Sequence, residues 1–204
     1  MANRAPVLIT GFEPFGGETT NASWEAVSLL PASIAGHEVR RLLLPVEFGR
    51  SADLLLAEMG RLQPAAVIAV GEAGGRAHVT VERVAVNIMR GRIPDNAGYQ
   101  ASGEAVVEGG PAAYLATLPV DACVAAARSQ GVPTDPSETA GLYVCNQLMY
   151  RMLHAISQAS LDIQAGFVHV PHTARQVLDR AGIPFIPADY SARALVGIVE
   201  ATLC

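Results

Sequence analysis

The run "AAVIAVGE", Ala65 to Glu72, holds six consecutive apolar residues before Gly71 and Glu72. It does not alternate, so neither face of the element can be meant for water, and it is short for a helix. A strand buried on both faces is the reading that fits. Moving outward, "SADLLLAEMGRL" before it has helical spacing, and "HEVRRLLLPV" before that reads as a strand. Near the N-terminus "VLITG" is a compact β-rich run, followed after "FEPFGGETTN" by "SWEAVSLL", a helix stopped near Pro31. Strand, helix, strand, helix, strand is the pattern of a parallel sheet covered on both faces.

The second half continues in kind. "HVTVERVAVNIM" has the length of a strand or hairpin arm. The next stretch, "RGRIPDNAGYQASGEAVVEGGPAAYLATLP", is turn-rich and without period, and a loop that long in a compact domain usually has a task. "VDACVAAARSQ" is a helix closed by Gly131, "VCNQLMYRMLHAISQ" a second, "AGFVHVP" a late buried strand and "SARALVGIVEATL" a terminal helix. No repeat, linker or low-complexity segment interrupts residues 1–204, so a single domain is expected.

Composition removes several classes of function. The 204 residues are 50% hydrophobic, enough for a full core without metal or disulfides, and the formal charge is -5. The 14 Lys and Arg are spread along the chain, so no basic stripe is offered to nucleic acid. Cysteines at 123, 145 and 204 form neither a CxxC pair nor a dense framework, which points to reduced thiols, a cytoplasmic location and no thiolate metal site. "MANRAPVLITGF" has too short an apolar run for a signal peptide, and nothing approaches the roughly 20 apolar residues of a membrane span. The sequon Asn21-Ala22-Ser23 is therefore expected to be chemically idle.

Ligands of open α/β sheets bind beyond the carboxyl ends of the strands, which directs attention to the loops after "VLIT", "VIAV" and "FVHV". The first carries Gly11, Gly16 and Gly17 but neither the GK[ST] of a phosphate loop nor GxGxxG. Phe12 and Phe15 stand between those glycines, as a hydrophobic plug or as the wall of a small-molecule crevice. In "SETAGLYVCNQLMYRMLH", Ser137 to His154, small and polar residues give way at Cys145 to helical spacing. A cysteine at a helix start has its thiolate favoured by unpaired N–H groups and the helix dipole; the plainer reading is a small buried hydrophobe. A nucleophile needs a base. Of five histidines, His37, His78 and His154 read as satisfied or solvated, whereas His169 closes a buried strand at the crevice and His172 follows in the loop as its rival.

Five segments, "VLITGFEPFGGETTNASWEAV", "GEAGGRAHVTVERVAVN", "RIPDNAGYQ", "SETAGLYVCNQLMY" and "GFVHVPH", resemble in that order the motifs of the pyroglutamyl peptidase I, or pyrrolidone-carboxylate peptidase, family. The resemblance implies a single-domain three-layer α/β/α sandwich around a twisted, mostly parallel mixed sheet. It also implies a cytosolic cysteine peptidase acting on N-terminally pyroglutamylated peptides, with no cofactor and no metal, usually a homotetramer. Carried over by motif, the nucleophile falls on Cys145, the base on His169 and the acid on Glu82. Glu82 in an apolar strand is costly to bury unless paired, so accepting a histidine N–H gives it a reason to be there; a plain pair with Arg83 is the alternative. Arg92 falls where the family has an arginine before "IPDN", for holding the active-site loop or for the oxyanion. Phe12, Phe15, Ile93, Tyr143 and Val144 would wall a pocket for a flat, uncharged lactam. The sequence departs from the common pattern at Val81 (proline), Glu72 (glutamine), Tyr143 (phenylalanine) and His172 (an aromatic), and two of these add polar groups near the lactam. The rival readings are a non-catalytic small-molecule binding protein and a phosphorylase-type transferase, for which Arg76, Arg90 and Arg92 are the candidate anion donors.

Overall fold

The computed structural model describes residues 4–204. Its elements are β1 (Val7–Phe12), α1 (Ala22–Ser28), β2 (Ser33–Ile34), β3 (His37–Leu44), α2 (Arg50–Leu62), β4 (Ala66–Glu72), β5 (Val79–Glu82), β6 (Val84–Val86), β7 (Met89–Arg90), β8 (Ser102–Glu104), β9 (Ala113–Leu115), α3 (Val120–Ser129), β10 (Thr134–Ser137), α4 (Val144–Gln158), β11 (Gln164–Val170) and α5 (Ala188–Leu203). Seven strands form one sheet in the order β10-β5-β11-β4-β1-β3-β2. β4 sits at its centre and is buried along its length up to Gly71, as its uninterrupted apolar run requires.

Strand residues alternate between two cores. Ile9, Ile68, Val81 and Val168 pack in the layer with α1, α3 and α5, while Leu8, Val67, Ala69 and Phe167 pack in the layer with α2 and α4. That is a helix layer, a sheet and a second helix layer. β1 runs parallel to β3 and β4, and β4 parallel to β11, whereas β5 runs antiparallel to β11. The sheet is thus mixed.

The stretch from His78 divides in two. Its first half is β5 of the main sheet; after Arg83 the chain leaves to pair β6 with β9 in a separate two-stranded ribbon. The long segment after it is short of regular structure but tied down: Asn146 of α4 donates to the carbonyls of Val86 and Ile88 at 2.9 Å, and Asn87 to those of Val107 and Gly110. β10, spelled "TDPS", has no strand-like composition; its pairing with β5 in register, Ser137 opposite Glu82, is a tertiary effect.

Candidate active site

The inverted direction of β5 builds the polar centre of the site. In the antiparallel register Phe167 faces Glu82 and His169 faces Thr80, so Glu82 and His169 are diagonal neighbours on the same face, within reach of long side chains. His169 Nδ1 lies 2.8 Å from Glu82 Oε1. Both are buried, Glu82 entirely. Oε1 also accepts from Arg76 Nη1 at 2.7 Å and from the Thr80 hydroxyl at 3.1 Å, while Oε2 is buried without a partner. Burial alone would push the Glu82 carboxyl up; the hydrogen bond and charge of His169, with help from Ser137 and Arg76, outweigh it and hold the group below its usual range. An ionised carboxylate only accepts, so the Nδ1 proton belongs to the imidazole and Nε2 is left as its basic nitrogen. Arg83 turns the other way, to Asp121 and Glu138, which removes the plain Glu82–Arg83 pair.

α4 supplies the thiol. Tyr143 is its N-cap and Cys145 its second residue, and no side chain caps the first turn. Cys145 Sγ comes over β4 at Gly71, the residue in register with His169: a Cβ added to Gly71 would stand 3.0 Å from the sulfur. Glycine at 71 is what gives the thiol its room. Cys145 and His169 line one pocket of about 140 Å³ together with Phe12, Phe15, Tyr143 and Val144. Among the described residues no hydrogen bond joins the sulfur to the imidazole, and such contacts are often loose before a substrate is bound. The helix start was expected to favour a thiolate. The site does the opposite: burial, then the negative charge of Glu82, push the Cys145 thiol up to about 12. The residue keeps an opening to the pocket, yet the loss of water on its other sides outweighs the helix terminus.

The walls are apolar. Phe12 is held against Phe167, with ring centroids 6.5 Å apart, and Phe15 and Phe48 both pack on Tyr143. The Tyr143 hydroxyl donates to the Pro94 carbonyl at 2.9 Å, so the polar atom that departs from a phenylalanine is spent on the loop around Pro94. Glu72 does line the pocket, but its Oε2 accepts the Ala22 N–H and the Gln176 amide, both at 2.7 Å, tying α1 to the segment after β11. His172 lies with Nδ1 3.1 Å from Glu72 Oε1, off the hydrogen-bonding direction, and its ring covers Gly74 rather than the thiol.

Sequence reasoning did not single out Asn21, Val46 or Ala140, which complete the pocket. Asn21 had a signal: Asn before a helix is an N-cap, and its side chain accepts from Ser23 N–H at 3.0 Å. It is buried, and its sequon with it. Arg76 carried no local signal as a partner of Glu82. Arg92 and Ile93 stand apart from the thiol pocket. They line an adjoining cavity of about 450 Å³ that shares Phe15 and Glu72 with it, and Ile93 reaches the glycine turn at Gly16 instead. Gly16 and Gly17 both have positive φ, 63° and 85°, which is how the loop carrying Phe15 folds back over the crevice. No group of three His, Cys, Asp or Glu side chains that could hold a metal ion occurs among the described residues.

The family model described as pyroglutamyl peptidase matches residues 5–203. A pyrrolidone-carboxylate peptidase of Thermococcus onnurineus is 51% identical over 174 residues, 85% of this chain and 87% of that protein. Its counterpart in Escherichia fergusonii is 48% identical over 93% of this chain and 88% of its own length. The crystal structure of pyroglutamyl peptidase I from Bacillus amyloliquefaciens superposes with a TM-score of 0.94 at 40% identity, covering 98% of this chain and 96% of that one. With a match along nearly its whole length, the chain belongs to the pyroglutamyl peptidase family.

Proposed function

We propose that residues 1–204 form one catalytic domain that hydrolyses the amide bond following an N-terminal pyroglutamyl residue, through a thioester on Cys145. The observation that carries the reading is the buried 2.8 Å contact of Glu82 with His169 beside an apolar pocket that also holds the thiol. In this reading the lactam ring lies among Phe12, Phe15, Tyr143 and Val144, and Cys145 attacks the carbonyl carbon. The thiol proton moves to His169 Nε2 as the C–S bond forms, and the imidazolium is stabilised by Glu82 through Nδ1. The same proton then leaves with the amine as the C–N bond breaks. Water, deprotonated by His169, hydrolyses the thioester and returns the thiol. The N–H groups of the first turn of α4, which have no carbonyl four residues back, are the donors for the oxyanion.

Arg76 is engaged with Glu82, and neither Arg90 nor Arg92 lines the thiol pocket, so the three do not converge into the anion site that phosphorolysis needs. Peptides with an N-terminal pyroglutamyl group are the proposed substrates. The cytoplasm is the proposed location, supported by three free thiols; no helix among the described residues is long and apolar enough to cross a membrane. A homotetramer is the proposed assembly, following the family resemblance, with exposed Leu115 and Leu178 as apolar surface for it to cover. The deciding experiment is turnover of a pyroglutamyl anilide without added phosphate. Hydrolysis by the wild type and none by Cys145→Ala is the expected result; no turnover by the wild type leaves a binding protein.

A further inference from the structure

The cavity beside the thiol pocket is the larger of the two and shares Phe15 and Glu72 with it as lining. It lies on the side of the loop that follows β4, where Gly74 and Gly75 keep its wall low. Resting on the reading above, the acyl group fills the thiol pocket, and the chain beyond the scissile bond needs a way out. Its nearest room is this cavity. The charged groups there are mostly committed. Glu18 is paired with Arg180 at 2.5 Å, and Glu72 sits on the floor, 3% exposed, accepting the Ala22 N–H and the Gln176 amide beside His172. Arg92 is different: it is exposed, and among the described residues its guanidinium makes neither a hydrogen bond nor an ion pair, with Ile93 and Ile183 as apolar neighbours on the same wall.

A guanidinium without an intramolecular partner among the described residues, lining a cavity that adjoins the thiol pocket through Phe15 and Glu72, suits a planar anion bearing two oxygens. We infer that Arg92 reads a carboxylate on the leaving side of the substrate, so that pyroglutamyl dipeptides with a free C-terminus are preferred over the same dipeptides blocked as amides. The residue is a specificity determinant and takes no part in the bond-breaking step.

The test compares kcat/KM for pyroglutamyl-alanine and pyroglutamyl-alanine amide, with pyroglutamyl anilide, which has no carboxylate, as the reference for the acyl chemistry. Exposed ion pairs contribute modestly, so the wild type should favour the acid about fivefold at low salt, and the preference should shrink in 0.5 M NaCl as screening sets in. In Arg92→Ala the acid-to-amide ratio should fall to about one, and Arg92→Lys should keep part of it. A wild-type ratio of one overturns the inference while anilide turnover leaves the peptidase reading standing. An Arg92→Ala variant slowed equally on all three substrates also overturns it, by placing Arg92 on the shared acyl step. Absence of anilide turnover in the wild type would strike the underlying reading instead.

Discussion

At Cys145 two local effects oppose each other, and burial beats the helix terminus. Both burial and the charge of Glu82 act against a resting thiolate. Alkylation by iodoacetamide should select Cys145 over buried Cys123 but should keep accelerating from pH 7 to pH 10; a plateau near neutrality would mean a resting thiolate–imidazolium pair and a different proton order. His169→Ala should lower turnover by about 10²- to 10⁴-fold, the usual worth of a general base, whereas His172→Ala, whose ring covers Gly74, should cost far less. Under the proposed mechanism Arg76, which bonds Glu82, is a positioning residue. Arg76→Met should lower kcat more than it raises KM, and it should raise the acid-side inflection of the kcat profile, because the cation that helps keep Glu82 ionised is gone. Glu82 also links stability to pH. Its carboxyl is depressed in the fold, so its contribution is complete above the ordinary value of 4.5 and is lost as pH falls through the folded value. The motif residues Glu82, Cys145 and His169 could be read from the sequence because each stands in a distinctive string. Arg76 could not, since its role exists only once β5 folds back beside β11.

Among the elements, β4 and β11 were readable because an unbroken apolar run leaves few alternatives. β5 and β6 share one alternating stretch and part company at Arg83, a break that no residue preference marks. β10 owes its strand to β5 and has none of the β-branched density that would announce it. The approach of α4 to β4 is equally invisible in either element alone, and it rests on Gly71. Gly71→Ala places a methyl 2.8 Å from the Phe167 ring and 3.0 Å from the Cys145 sulfur, closer than packed atoms tolerate. The variant should fold, with a thermal midpoint lowered by a few degrees for an overpacking cost of about 1–3 kcal/mol, and should lose most of its turnover as the thiol is displaced. Full activity in that variant would show that the sulfur need not sit over β4.

For the molecule as a whole, the proposed specificity rests on a pocket assembled from five separate segments, with mostly apolar walls and one committed carboxylate. An open-chain glutamyl group would bring an ammonium and a carboxylate into it, where the one lining carboxylate, Glu72, is already engaged by the Ala22 N–H and the Gln176 amide. Glutamyl anilide should therefore be rejected by at least about 10²-fold relative to pyroglutamyl anilide in kcat/KM, and prolyl anilide, which keeps the ring, less severely. Comparable values for glutamyl and pyroglutamyl substrates would identify Glu72 as a reader of the ammonium. The layered architecture was legible from the order of strands and helices; the antiparallel insertion of β5 was not, because strand direction is decided by contacts far apart in the chain. That insertion sets what must be in place before the site is complete. β11 is the last strand to be synthesised, yet its place is inside the sheet, between β4 and β5. Until it threads into that gap, Glu82 has no imidazole to hold, and a partly made chain carrying a complete cysteine helix remains chemically inert. On refolding from denaturant, recovery of hydrolysis should trail the return of helical signal, since the pairing of Glu82 with His169 needs β11 seated between β4 and β5.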